Sequence, residues 1–473
     1  MTATSCSPAC GSSGPTTVTI SPALRHPNWA AGNNPQMWTV PASVNVGVRN
    51  LTLEESNLGY SAVTAGIGFS GTMDFWVQNV VIDSAANIAI FVTQAAAHGD
   101  IESNYIYNVG QGTNDDSSGI NLLGANNLVT NNICQNALLC YVGNGPQEGS
   151  VISYNYFVNS HTGNSTLYFS FDDGHSNGID YNLYEGNVGI DVAMDQAHGT
   201  HLVNSFYRNF FSGWESCANG NCGTNTEKTD NLFALQPISN HRYGNYVANV
   251  LGTPGVSTIA YQNEGTEWYV GGPGDAGRIW NVGSGNSGGG PGTGYAGPIP
   301  YDPIVAQTIL RWGNWDAFNG SAQWNASEVP TNTPSGILAN PVPTACASGG
   351  SCPPSFYLSG APSWWPGSIP FPAIGPDVTG GNVGQCTGTL NTPGEYAGLA
   401  ATSGNCAGTS LASSWAGHIN AIPAMACFLN TMKGPPDGTG SILSFDANNC
   451  YASNGTSSAT PPSPLNLTGT VVQ

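Results

Sequence analysis

The sequence predicts an all-β protein in which short strands and turns repeat along the chain as a solenoid. An asparagine recurs every 23 to 28 residues through much of the first 250 residues, with one longer step of 44 residues. Apolar residues keep fixed positions around it, and no helical period of 3.6 persists through these segments. Coils of this length can bury two sets of strands in one continuous core.

The recurring asparagine marks a turn of each coil. Its neighbours three residues earlier and one residue later are apolar or aromatic, as strand residues facing a core would be. We expect the asparagine side chain to bond to its equivalents in the coils above and below, as amide ladders do. The aligned residues are Asn79, Asn104, Asn132, Asn155, Asn182, Ser205 and Asn249.

The repeats also predict the domain organisation. Prolines between residues 330 and 450 argue against regular helix or central strand there, so we expect an irregular segment, with a small separate domain as the alternative. The predicted parts are an N-terminal cap segment (1–44), the solenoid (45–263), a Gly-rich connector (264–300), a C-terminal segment packed on the solenoid (301–451) and a Ser/Thr/Pro-rich tail (452–473).

Twelve cysteines fall into near neighbours, which predicts short-range disulfides and an oxidising compartment. The first residues contain neither a basic n-region nor an apolar h-region, and no apolar run is long enough to span a bilayer. We therefore expect a mature secreted protein, extracellular or at the cell surface, without membrane insertion. The near neighbours are Cys6/Cys10, Cys134/Cys140, Cys217/Cys222, Cys346/Cys352, Cys386/Cys406 and Cys427/Cys450.

The charge balance restricts the partners of the protein. Only 8% of the residues are charged, Lys and Arg number eight, and the net charge is −20. Nucleic acids and anionic membranes require basic surface, so neither is an expected partner. A polyanionic substrate is also disfavoured unless bound cations change the local field.

The coil pattern resembles the right-handed parallel β-helix proteins of the pectin-lyase-like superfamily. The resemblance covers about residues 45–263 and rests on the repeats rather than on a catalytic signature. It implies a secreted protein, often one that acts on polysaccharides, with a groove along one face of the helix. An antiparallel β-sandwich or propeller is the alternative fold. The same scaffold also carries non-catalytic adhesins and fibre proteins.

The most acidic and His-rich stretch of the chain, residues 171–201, is the predicted catalytic region. If Asn182 and Ser205 are equivalent, a step of 23 residues also places Asp172 beside Asp195 and His175 beside His198. Stacked carboxylates repel unless they share a proton or a cation, so one pKa should rise. Capping of backbone groups at turns is the structural alternative.

Paired carboxyl groups are suited to hydrolysis of a glycosidic bond, because one protonates the leaving oxygen while the other acts as a nucleophile or activates water. We therefore predict a glycoside hydrolase that cleaves a polysaccharide and needs no cofactor. The predicted catalytic residues are Asp172, Asp173, Asp195 and His198. The predicted substrate-binding residues are His175, His201, Arg208, Trp214, Lys228, Trp364 and Trp365, with packing of the C-terminal segment as the alternative role of the last two tryptophans.

A calcium-assisted polysaccharide lyase is the second hypothesis. In such an enzyme an Arg or Lys acts as base while calcium on carboxylates neutralises a uronate, and Arg208 or Lys228 would be the base here. Candidate calcium ligands are Asp172, Asp191 and Asp195, and the loop with Asp115 and Asp116 is a weaker candidate. A non-catalytic extracellular adhesin or structural protein is the third hypothesis.

Overall fold

The computed structural model divides into two compact units, residues 1–41 and 42–473, and describes most of the repeat region with parts of the C-terminal segment. In the first unit, Thr2–Ser7 pairs antiparallel with Thr17–Ser21. The described residues are 2–7, 9, 17–21, 32, 42–56, 65–110, 117–160, 171–172, 174–194, 199–213, 233–252, 259–262, 278–285, 299–330, 346, 352–378, 422–435 and 438–451.

The second unit consists mostly of short strands in parallel sheets, which confirms the predicted β class. The largest sheet has 17 strands in the described part of the chain, and the final hairpin is its one antiparallel pairing there. Its strands are Gly47–Glu54, Trp76–Asp83, Asp100–Glu102, Tyr105–Val109, Leu128–Thr130, Ile133–Ala137, Val151–Ser153, Tyr156–Val158, Leu183–Glu185, Val188–Gly189, Ser205–Tyr207, Phe210–Phe211, Asn245–Val247, Val250–Leu251, Leu310–Trp312, Asn314–Asp316 and Ser321–Gln323.

A second parallel sheet of nine strands and three two-stranded parallel sheets complete the repeats. The nine strands are Ala65–Phe69, Ile88–Val92, Ser118–Leu122, Leu139–Gly143, Phe171–Asp172, Val192–Ala193, Phe233–Gln236, Arg278–Asn281 and Ile259–Gln262. The small sheets pair Ser43–Val44 with Thr72–Met73, Gln147–Glu148 with Ile179–Asp180, and His201–Leu202 with His241–Arg242.

The pairing pattern is compatible with a β-helix, because most strands pair in parallel with their equivalents in neighbouring repeats. It argues against the antiparallel alternative within the described residues. Parallel pairing also continues past residue 263, the predicted end of the solenoid. Arg278–Asn281, expected in the Gly-rich connector, joins the nine-stranded sheet, and Leu310–Trp312 and Asn314–Asp316 extend the 17-stranded one.

One apolar core joins the two large sheets. Alternate residues of each strand face it, so that Ile101, Val129 and Ile152 of one sheet share a cluster with Ile120 and Leu235 of the other. Burial of these side chains supplies the main favourable term for the fold. The residues between them face the opposite side of the sheet.

Seven asparagines form a continuous ladder beside the core. The side-chain Nδ2 of each of the first six donates to the Oδ1 of the next asparagine at 2.9–3.0 Å, and all seven also donate to a backbone carbonyl. All seven side chains are buried. A buried amide must be hydrogen-bonded, so a shift of register that broke these pairs would be unfavourable. The first ladder consists of Asn104, Asn132, Asn155, Asn187, Asn209, Asn249 and Asn314.

The predicted alignment was correct for four of these asparagines and wrong at three other positions. Asn182 belongs to a second ladder, in which its Nδ2 donates to Asn204 Oδ1 at 3.3 Å. Ser205 lies in a strand, one residue after Asn204. Asn79 precedes the true equivalent, because Asn104 Oδ1 accepts from the backbone N of Val80.

The residue before each ladder asparagine has a left-handed backbone, which bends the chain between two strands. Gly186 and Gly313 occupy this position without steric cost, at φ of 70° and 67°. Tyr154, Arg208 and Ala248 adopt the same conformation at φ of 53–55°. Such strain persists only where the surrounding structure imposes it.

The C-terminal segment packs on the outer side of the 17-stranded sheet. Trp365, Phe428 and Met425 share a buried cluster with Tyr154 and Tyr156 of the sheet. The described helical turns of the chain are short: Pro303–Thr308, Ala326–Glu328, Pro423–Ala426, Cys427–Thr431 and Ala447–Tyr451.

Three of the predicted disulfides are present: Cys134–Cys140, Cys346–Cys352 and Cys427–Cys450. Each of the other three predicted pairs includes a cysteine outside the described residues. None of the described helices is both long and apolar enough to cross a membrane. Disulfides of this kind are typical of oxidising compartments.

Candidate functional site

The predicted catalytic region is only partly described. Asp172 lies in a strand whose register places it between Val142 and Ala193. The prediction that Asp172 lies beside Asp195 is therefore wrong, because the register pairs Asp172 with Ala193, two residues before Asp195. Asp191 is buried, and its Oδ2 accepts from Gln236 Nε2 at 3.3 Å.

Several predicted site residues lie outside the described residues, and their predicted roles stay predictions. They are Asp173, Asp195, His198, Trp214 and Lys228, together with the loop residues Asp115 and Asp116.

The two described histidines of the predicted site differ in burial. His175 is partly buried, and its backbone N donates to Gly143 O at 3.0 Å. His201 is almost fully buried and stacks on His241, with 4.5 Å between the ring centroids. His201 therefore packs inside the protein rather than at an open substrate surface.

Arg208 anchors the C-terminal segment to the 17-stranded sheet and does not face a substrate surface. Its guanidinium is buried and donates to both Asp377 carboxylate oxygens at 2.7 and 2.9 Å. The remaining donors reach the carbonyl oxygens of Pro353, Ile374 and Cys352 at 3.0–3.1 Å. All five N–H donors are thus used, which corrects the predicted substrate-binding role to a structural one.

The paired tryptophans of the C-terminal segment also pack inward. Trp365 is 6% exposed, its Nε1 donates to Ile369 O at 3.0 Å, and its ring meets Tyr154 edge-on. Trp364 is partly buried against Tyr154 and Tyr451. The alternative role considered for them, packing of the segment on the repeats, is the one the contacts favour.

Two carboxyl groups that the sequence prediction missed, Asp100 and Glu102, offer the clearest chemistry. They flank Ile101, which is fully buried in the core, so both side chains face the outer side of the 17-stranded sheet. Residues two apart on a strand are separated by roughly 6.6 Å. Both side chains are only partly buried. We call Asp100 and Glu102 the acidic pair.

The acidic pair belongs to a line of polar outer residues on neighbouring strands. Glu102 pairs in register with Gln78 on one side and Thr130 on the other. Beyond Thr130, the line continues through hydroxyl, carboxyl and phenol groups. We call this line the polar row; it consists of Gln78, Glu102, Thr130, Ser153, Glu185 and Tyr207.

The surroundings of the acidic pair shift both pKa values towards neutrality. Burial raises the pKa of Asp100 to about 6, although a hydrogen bond from Gln78 Nε2 at 3.2 Å opposes the rise. Burial and then repulsion by Asp100 raise the pKa of Glu102 to about 7. Two coupled carboxyl groups of this kind hold one proton between them over a range of pH.

The hydrogen bonding of the acidic pair is incomplete within the described part of the chain. Glu102 makes no side-chain hydrogen bond there, and Asp100 Oδ1 is buried without a partner. Structural carboxylates in proteins normally have their acceptors satisfied. The pair therefore keeps acceptor capacity that the described residues do not use, although Asp100 Oδ1 itself is buried.

The C-terminal segment borders the acidic pair with two tyrosines. The hydroxyl of Tyr357 lies 2.8 Å from Ser153 Oγ, which donates to Thr130 Oγ1 at 3.0 Å. The carboxyl charge of Glu102 contributes to raising the pKa of both Tyr357 and Tyr451. These phenols thus stay protonated and neutral beside the carboxyl groups.

Comparison with known proteins adds no assignment: no family model, curated protein or solved structure matches the chain. Among the described residues, no group of three or more His, Cys, Asp or Glu side chains is placed to hold a metal ion. The geometry of the acidic pair therefore carries the functional argument by itself.

A local signal for the acidic pair is present in the sequence. In "DIE" two acids alternate with an apolar residue, whereas the equivalent outer positions of the next repeat are Leu128 and Thr130. Alternation on a strand whose centre is buried brings both acids to one face. The site was predicted at residues 171–201 because more acidic residues lie there.

Proposed function

We propose that this protein is a secreted glycoside hydrolase built on a right-handed parallel β-helix, with Asp100 and Glu102 as its catalytic carboxyl groups. The observation that carries the proposal is the acidic pair itself: two partly buried carboxyl groups on one face, with pKa values of about 6 and about 7. For one site to supply both an acid and a base, its two carboxyl groups must have different pKa values.

In the proposed reaction, protonated Glu102 donates its proton to the glycosidic oxygen as the bond to the anomeric carbon breaks. Asp100, as carboxylate, accepts a proton from a water molecule whose oxygen bonds to that carbon. The higher pKa of Glu102 makes it the donor of the pair. One proton enters the leaving group and one returns to the enzyme, so the reaction balances.

An uncharged glycan is the proposed substrate. No described cationic side chain contributes to the pKa values of the acidic pair, and the net charge of the chain is −20. A uronate polymer would meet unscreened carboxylates in this site. The disulfides support an extracellular location.

The decisive experiment assays neutral and acidic polysaccharides for new reducing ends and for absorbance near 235 nm, which reports the unsaturated products of a lyase. We expect reducing ends without unsaturated products, and loss of activity in Asp100→Asn and Glu102→Gln. Asp172→Asn and Asp195→Asn test the site predicted from the sequence. Activity that survives Glu102→Gln but not Asp195→Asn would move the site to that region.

A further inference from the structure

An exposed aromatic ring lies on the same face of the sheet as the acidic pair. Phe356 is 43% exposed, whereas most aromatic side chains of the C-terminal segment are buried or partly buried. Large exposed apolar rings need not have a role when they occur singly. Phe356 differs from such isolated rings because its ring is held by neighbouring residues and lies in line with Glu102.

Phe356 is held rigidly against the sheet. Its backbone N donates to Glu185 Oε2 at 2.9 Å, and its ring stacks on Tyr207 with 3.8 Å between centroids and 8° between planes. Tyr207 is fully buried, and its hydroxyl donates to Pro353 O. Because Tyr207 covers one face of the Phe356 ring, the exposed area belongs to the other face and the edge.

The register fixes the distance from this ring to the acidic pair. Tyr207, beneath Phe356, is four strand steps along the polar row from Glu102, through Glu185, Ser153 and Thr130. At the usual spacing of neighbouring strands these steps amount to about 19 Å. A glycan lying across both points therefore spans several sugar units.

A flat, fixed and uncharged ring suits the apolar C–H face of a sugar. Aromatic rings bring a large contact area, and a ring already immobilised loses little conformational entropy on binding. Tyr357, which is partly buried, contacts the polar row between these two points through its hydroxyl and Ser153 Oγ. The polar residues between the acidic pair and Phe356 are buried, and the nearby cation, Arg208, is buried too and neutralised by Asp377, so the exposed Phe356 ring adds no free positive charge.

We infer that Phe356 forms a distant sugar-binding subsite, so that the substrate is a neutral polysaccharide chain of several units rather than a short oligosaccharide. The inference rests on the proposed hydrolase function. The inference specifies both the length of the glycan, several sugar units, and its charge, which is neutral. It also gives the C-terminal segment a role in substrate selection.

Binding can be measured without turnover in the Glu102→Gln background. The probes are xylan, galactan, arabinan, mannan and mixed-linkage β-glucan, each embedded in a native gel. We expect Phe356→Ala to weaken retention by at least one polymer about tenfold, a change that corresponds to about 1.4 kcal/mol. Phe356→Leu, which keeps apolar area but loses the flat ring, should bind as weakly as Phe356→Ala.

The matched control is Phe318, a phenylalanine that is 50% exposed in the turn of the final hairpin. Phe318→Ala should leave retention unchanged, and unchanged melting temperatures would show that all variants fold. Kinetics give a second readout: Phe356→Ala should lower kcat/KM about tenfold on the polymer but not on the shortest cleaved oligosaccharide.

The outcomes separate this inference from the proposed function. If the protein retains a polymer through Phe356 but releases no reducing ends, the hydrolase proposal fails and the subsite stands. If polymers are cleaved and Phe356→Ala behaves like Phe318→Ala, the subsite is overturned alone. Retention of none of the five polymers, or an equal loss on long and short substrates, would also overturn it.

Discussion

Glu102 and Glu185 occupy the same polar row, three strand steps apart, yet their carboxyl groups have opposite surroundings. Glu185 accepts hydrogen bonds from Tyr154 Oη at 2.6 Å and from the Phe356 backbone N at 2.9 Å. Glu102 makes no side-chain hydrogen bond within the described residues. The Glu185 carboxyl group therefore anchors the C-terminal segment, whereas the acceptor atoms of Glu102 are not used by the described residues.

The isosteric variants Glu102→Gln and Glu185→Gln should consequently differ. Glu102→Gln should abolish most glycan cleavage, by about 100-fold or more, since it removes the proton donor. Glu185→Gln should destabilise the protein by about 1–3 kcal/mol, because its amide group cannot accept both hydrogen bonds. Urea unfolding and reducing-end assays measure the two effects. A destabilised Glu102→Gln with normal specific activity would assign Glu102 to the scaffold.

The pH dependence of stability should report the raised pKa of Glu102. A carboxyl group whose pKa rises on folding binds its proton more tightly in the native state, so its contribution is fully present near pH 4 and is lost as the pH rises through about 7. Glu102→Gln should therefore be more stable than the parent protein at pH 8, by about 1–3 kcal/mol, with the difference shrinking towards pH 4.

A carboxyl group with the opposite shift is the control for this measurement. Hydrogen bonds from the Ser56 side chain and from the Ser56 backbone N lower the pKa of the exposed Glu54. The backbone N donates to Glu54 Oε1 at 2.7 Å. Glu54→Gln should therefore gain no stability at pH 8. Equal unfolding curves for the parent protein and Glu102→Gln at pH 8 and at pH 4 would show that the pKa of Glu102 is not raised.

The asparagine ladder shows how far the sequence determined the fold. Asn104 and Asn155 were aligned correctly because the position five residues earlier is Gly99 in one repeat and Ser150 in the other, which leaves one asparagine candidate. Asn132 was aligned correctly although Asn127 lies five residues before it. Later repeats hold two asparagines five residues apart, Asn182 with Asn187 among them, and both are ladder residues. Pattern alone could not choose between them, so the alignment moved to the wrong ladder.

The predicted stacking of acids also failed, because the repeat lengths differ between the ladder and the strand that holds Asp172. The true step from Asn182 is 22 residues, to Asn204, and the step from Asp172 on the other sheet is 21 residues, to Ala193. Both steps are shorter than the 23 residues predicted, by one at Asn182 and by two at Asp172. A shift of one residue reverses the face of a side chain, and a shift of two moves it to the next position on the same face. Site predictions that depend on register therefore fail sooner than the prediction of fold class.

The buried ion pair of Arg208 and Asp377 should be a main attachment of the C-terminal segment. Asp377→Asn would leave the guanidinium buried without its counter-ion, and loss of one partner of such a pair costs about 3–5 kcal/mol. Asp74→Asn is the control, because Asp74 and His98 are both exposed and 3.5 Å apart, and exposed pairs contribute about 0–1 kcal/mol. Equal midpoints of urea unfolding for the two variants would contradict this role.

The stereochemistry of cleavage follows from the spacing of the acidic pair. Retaining enzymes need carboxyl groups about 5 Å apart, whereas inverting enzymes separate them by about 6.5–9.5 Å to admit a water molecule. Asp100 and Glu102 project from one face of a strand at positions roughly 6.6 Å apart along the backbone, and carboxyl groups that keep this separation predict inversion at the anomeric carbon. Proton NMR of the first products, recorded before mutarotation, should show the anomer opposite to the substrate linkage. A product with the configuration of the substrate would require a covalent intermediate, which this spacing disfavours.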